Sequence, residues 1–152
     1  MPQITIRFVQ DPGLVSDFIR WWTWGEWSHV EIVTPEGEYL GARFSGGVRV
    51  RPKNYIRARR EAFRSVNLSD AQFHNFWSFA RSQIGKPYDT RAIIGLGIRE
   101  NFSSNGKSWF CSEYVYACFE AAGVHLLDTD NAYRLSPRDI GLTTILGDYK
   151  YG

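Results

Sequence analysis

Two cysteines among 152 residues leave little basis for a disulfide-stapled fold. Cys111 and Cys118 fall on one predicted helix, which sets their Cα atoms about 10 Å apart, beyond the roughly 7 Å that a disulfide spans. Both are expected as free thiols. Those two cysteines and three scattered histidines do not make a zinc site, so no metal and no cofactor is expected. "IIGLGIREN" lacks the strand–turn–helix context and the Lys-Ser/Thr of a phosphate loop. No basic stretch followed by an apolar run opens the chain, and no segment approaches the ~18 apolar residues of a membrane span. The cytoplasm is the default expectation; a phage- or wall-associated role would need another export route. A net charge of +2 is too small to indicate nucleic acid, and none is expected as a partner. No repeat, linker or low-complexity segment interrupts the chain. With 43% apolar and only 22% charged residues, disorder is excluded and one core is affordable, so residues 1–152 are expected to form a single domain.

Aromatic residues are abundant, with six tryptophans, four of them in "WWTWGEW" at 21–27. Basic residues cluster in "RVRPKNYIRARREAFR" at 49–64. That segment reads as a solvated strand-and-loop face, or as a patch for an anionic polymer or membrane surface.

Ile4, Ile6 and Phe8 alternate with polar residues as a strand does. Leu14, Phe18, Ile19 and Trp22 follow at helical spacing. "WSHVEIV" and "EYLGARF" flank the turn signal "TPEG" and predict a hairpin; "GGVRVRP" and "EAFRSVN" are further strands. Ser69 and Gln72 form a capping box for a helix whose stripe is Phe73, Phe76, Trp77, Ala80 and Ile84. "GKPYD" ends it, and residues 91–108 read as a long loop. A helix opens at Cys111 and stops at Gly123, and "LSPRDIG" is a last capped turn. Strands followed by helices predict an α+β fold.

Cys111 at a helix start sees amide groups without intrahelical acceptors and the positive end of the macrodipole. Both favour a thiolate, so its pKa is expected below the free value of about 8.5. The same amides suit an oxyanion. Cys118, inside the helix, has neither advantage and reads as core. Of the histidines, His74 falls off its helix stripe and His125 follows the far end of the Cys111 helix, whereas His29 sits mid-strand on a rigid platform.

"SHVEIV" at 28–33, "GKPYD" at 85–89, "CSEYV" at 111–115 and "LSPRDI" at 135–140 stand in an order and spacing that resembles the circularly permuted, papain-like (YiiX-like) branch of the NlpC/P60 superfamily. The resemblance implies an antiparallel sheet packed against helices, Cys111 as nucleophile at a helix N-terminus and His29 as general base. It implies a cysteine peptidase or amidase working through an acyl-thioester. The residue that orients the histidine usually comes from the next strand. That strand here offers Gly41, Ala42 and Arg43, none of which can accept a hydrogen bond through its side chain. Glu31, two residues from His29 and so on the same strand face, is the substitute; a backbone carbonyl or Ser45 are others. Glu31 as the partner of a nearby arginine is the alternative.

Trp24 and Trp27, next to His29, are candidates for a cleft wall, and Tyr88 for a pocket residue through the resemblance. The expected partner is a small peptide or N-acyl amide, such as a cell-wall stem peptide. Two alternatives stand beside it: lipid chemistry of the lecithin:retinol acyltransferase-like type, with membrane contact, and an inactive ligand-binding module.

Overall fold

The computed structural model describes residues 1–13, 17, 25–90, 106–128 and 135–152. Six strands form one antiparallel sheet: β1 (Gln3–Gln10), β2 (His29–Val33), β3 (Tyr39–Arg43), β4 (Gly47–Arg51), β5 (Arg60–Asn67) and β6 (Lys150–Tyr151), in the order β4-β3-β2-β1-β5-β6. Among the described residues three helices accompany it: α1 (Asp70–Ser82), α2 (Cys111–Ala121) and α3 (Pro137–Gly141). The expected α+β architecture is present. The expected helix over Leu14–Trp22 and the loop from Arg91 lie largely outside the described residues.

Strand alternation sorts the sheet into two chemically different faces. Ile4, Ile6, Phe8, Val30, Ile32, Leu40, Ala42 and Val48 are buried in one cluster with Phe76, Trp77 and Ala80 of α1 and Tyr114, Val115 and Phe119 of α2. The alternate residues, Arg7, His29, Glu31, Gly41, Arg43, Arg49 and Arg51, carry the opposite face. β1 and β2 set Arg7 directly across from Glu31, and Ile6 across from Ile32.

Local signals behave as expected. Ser69 and Gln72 close a reciprocal capping box on α1, and Gly123, at φ +73°, follows the C-cap of α2. Ser136 and Asp139 do the same for α3, with Pro137 at its first turn. Ile84 departs from the expected stripe: it lies past the helix end and is 43% exposed. The basic segment is not simply a solvated face. Arg51 and Arg64 are buried and bind backbone oxygens, Arg64 tying β5 to the carbonyls of Gly141, Thr143, Leu146 and Gly147. Such charge-assisted bonds pin the chain's last turn beside the sheet.

Candidate active site

His29 opens β2 and Glu31 follows on the same face. The His29 ring Nε2 lies 3.0 Å from Glu31 Oε2, and both side chains are buried. The phenolic hydroxyl of Tyr55 donates to the same oxygen at 2.9 Å. Arg7 donates to Oε1 at 2.6 Å and to Glu61 at 2.6 Å. Arg43 Nε stands 3.8 Å from Oε2, while its terminal nitrogens hold Asp11 at 2.6 and 3.2 Å. Glu31 is therefore at once in contact with His29 and with an arginine.

β3 makes room for this arrangement. A Cβ on Gly41 would come within 2.9 Å of Glu31 Cβ and 3.7 Å of Oε2. The strand position that could have supplied an orienting side chain must therefore stay bare, because the carboxylate from β2 fills that space.

Burial alone would raise the Glu31 carboxyl, but the hydrogen bond and charge of His29, then Arg43 and Arg7, outweigh it and hold it well below the usual carboxylate range. His29 is lowered, by burial first and then by the charge of Arg43, against the opposing pull of Glu31 and Asp11. Near neutral pH the carboxylate is ionised, with Arg7 to balance it, and the imidazole is neutral. An ionised carboxylate only accepts, so the ring proton sits on Nε2 and Nδ1 is left with its lone pair.

Cys111 begins α2, whose N-cap Phe110 makes no side-chain capping bond. The backbone amides of Val30 and Ser112 act on its sulfur in favour of the thiolate. Val30 directly follows His29, so the sulfur abuts the strand that carries the histidine. Arg43 and Asp11 act electrostatically on both groups. The expected low thiol pKa is corrected: Cys111 is 1% exposed, and desolvation pushes it up to about 12 despite both amides and Arg43. Burial outweighs the helix-start effect. Cys118 is also buried, and burial raises its thiol against the opposing effect of Tyr114.

In front of His29 opens a cleft of about 750 Å³, lined also by Arg43, Tyr55 and Tyr88. Tyr88 arrives there because "GKPYD" is laced between β4 and the start of α2: Val48 donates to the carbonyl of Lys86 at 2.9 Å, and Trp109 to that of Pro87 at 3.0 Å. Burial first, and then the neighbouring Cys111, raise the Tyr88 hydroxyl well above its ordinary value.

Trp27 does not line this cleft. It is 3% exposed and packs against Phe8 and Tyr149, with Arg60 over its ring, because the segment entering β2 turns it toward the core. Trp24 lies outside the described residues. His74 is exposed, and His125 is exposed and paired with Glu120 at 2.9 Å. Sequence reasoning missed Arg7, Tyr55 and Asp11. Only Arg7 left a signal, as the one charged residue of β1.

No protein-family model matches the chain, and no curated protein matches it. Among solved structures, the fold matches the crystal structure of the metalloprotein YiiX of Escherichia coli O157:H7, DUF1105, with a TM-score of 0.70 and 20% identity, over 94% of this chain and 93% of that one. The chain thus shares the YiiX fold.

Proposed function

We propose that the protein is a papain-like cysteine hydrolase of the permuted NlpC/P60 type, cleaving an amide bond in a small peptide or N-acyl substrate. One observation carries this reading: a buried His29–Glu31 pair at 3.0 Å on the strand whose Val30 amide lies close enough to the Cys111 sulfur to act on its ionisation. Glu31 keeps the proton on Nε2, and Nδ1 acts as the base toward the thiol. The resting couple is a neutral thiol and a neutral imidazole, so proton transfer accompanies attack. The thiolate adds to the carbonyl carbon, and the imidazolium, steadied by Glu31, returns the proton to the leaving amine. Water activated by His29 then splits the thioester. Cys111 is 1% exposed, so turnover requires a side chain to move off its sulfur.

That same burial favours one second reading, a ligand-binding module that kept the fold without the activity. A cysteine-directed acyl probe decides: labelling at Cys111 that disappears in Cys111→Ala and collapses in His29→Ala supports the hydrolase. No labelling of Cys111 between pH 5 and 9 leaves the inactive module. Cleavage of muropeptides, against turnover of phospholipid vesicles, separates peptide from lipid substrates.

YiiX is described as a metalloprotein. Among the described residues, no three His, Cys, Asp or Glu side chains come together to hold a metal ion. His29 and Glu31 are occupied by each other and hemmed by Arg7 and Arg43, a setting that repels a cation. These residues do not fit a metal.

A further inference from the structure

The cleft in front of His29 is lined by three guanidinium groups, Arg43, Arg49 and Arg51, against one carboxylate, Asp11. Arg43 is committed to that carboxylate. Arg51 spends its donors on the carbonyl oxygens of Gly41, Ser45, Gly47 and Arg49, so it is hydrogen-bonded but not ion-paired among the described residues. Arg49 is exposed and its side chain makes neither an ion pair nor a hydrogen bond among the described residues. Its guanidinium lies across the β3–β4 turn, where a Cβ on Gly46 would come within 2.7 Å of Cζ. The turn thus seats on the cleft wall a cation without a partner among the described residues.

Burial first, then the charges of Arg49 and Arg43, pull the Arg51 guanidinium below its ordinary value, against the opposing effect of Tyr55. An anion placed among them relieves that repulsion. Part of the remaining wall is apolar. Phe44, 74% exposed, meets Tyr88 edge-on at 6.3 Å, and Val50 is 39% exposed beside them. A ligand that satisfies both walls has an apolar body and an anionic end.

We propose that this cleft selects carboxylate-bearing amides, with Arg49 pairing the carboxylate and the Phe44–Tyr88 wall holding the apolar body. A guanidinium fork matches a carboxylate bidentately, and a single free fork suits a monoanion, whereas a phosphate dianion draws several free donors. The proposal deepens the hydrolase reading by naming its substrate class, but the binding step stands apart from the chemistry.

The test uses the whole chain carrying Cys111→Ala, so that no turnover occurs and a failure of the hydrolase reading leaves the measurement intact. N-acetyl-phenylalanine and its neutral C-terminal amide are titrated at low salt, with the His29 ring signals followed by NMR. The carboxylate is expected to bind about tenfold tighter than the amide, as a partly desolvated bidentate pair implies. Adding Arg49→Gln should remove most of that preference, and Arg49→Lys should keep part of it. Arg57→Gln, which removes the same charge from a separate groove, should leave it in place. Equal affinities for the two ligands, no shift with either, a preference that survives Arg49→Gln, or an equal loss in Arg57→Gln would each overturn the proposal. Tighter binding of phenyl phosphate than of the carboxylate would overturn it too.

Discussion

Replacing Glu31 with glutamine separates its two roles. Both carboxylate oxygens are in use: Oε1 accepts from Arg7 at 2.6 Å, and Oε2 accepts from His29 and Tyr55 at 3.0 and 2.9 Å. Glutamine has a single acceptor oxygen. Arg7 can only donate, so that oxygen must face Arg7, and the amide NH2 then faces the histidine. His29 must accept at Nε2, which moves its proton to Nδ1, the nitrogen that the proposed base uses. A comparable wrong-tautomer change in the Ser-His-Asp triad lowers kcat by about 10⁴. General-base assistance spans about 10²–10⁴, so Glu31→Gln should slow Cys111 alkylation by iodoacetamide at pH 7 by about 100-fold or more. Stability falls as well, because removing one partner of a buried ion pair costs about 3–5 kcal/mol. Arg7 keeps Glu61 at 2.6 Å, which places this variant at the lower end. At roughly 2–4 °C per kcal/mol for a chain of this size, a cost of about 3 kcal/mol lowers Tm by about 6–12 °C. Ring ¹⁵N NMR reads the tautomer and a thermal melt reads the stability. A variant that melts lower, keeps the Nε2–H ring and reacts within about threefold of wild type would refute the orienting role and leave Glu31 as the partner of Arg7 alone.

Gly41→Ala drives a Cβ to within 2.9 Å of Glu31 Cβ; overpacking of this kind costs about 1–3 kcal/mol, read as a lower urea midpoint, and alkylation slows as the carboxylate is pushed off His29. The pKa of His29 is lower in the folded protein than its ordinary 6.5, so the stability it contributes is complete above that pH and is lost on acidification; Tm should begin to fall below about pH 6.5, and His29→Ala should delay the fall to the carboxylate range. Cys111 runs the other way: its raised pKa means stability lost from its ordinary 9.0 up to about 12, at about 1.4 kcal/mol per pH unit, and Cys111→Ala should reduce the alkaline slope measured by melts at pH 8–11. Arg64→Met strips the donors from four carbonyls between Gly141 and Gly147, at a cost of about 2–4 kcal/mol, and hydrogen exchange should rise first in 141–147.

Features set by neighbours along the chain were legible in the sequence. The alternation of Ile4, Ile6 and Phe8, the "TPEG" turn that precedes β3, the capping box at Ser69 and the capped turn of "LSPRDIG" depend on residues a few positions apart, where chain geometry leaves few options. That His29 and Glu31 share a face is of this kind, since residues two apart on a strand must. Cys111 at a helix start is too. What the thiol does there is not, because its pKa depends on what surrounds it: the sheet, Tyr88 and the helix together exclude water, and desolvation outweighs the amides that sequence position promised. The same holds for Trp27, whose composition suited a cleft but whose neighbours are Phe8 and Tyr149, and for Arg51 and Arg64, which read as solvated yet staple backbone inside the protein. Arg7 reaches Glu31 across 24 positions of sequence, Tyr55 reaches it from a loop, and Gly41 clears the space between them. Local pattern chose the elements and the candidate pair; burial and charge, which act between residues far apart in the chain, decided the electrostatics of both.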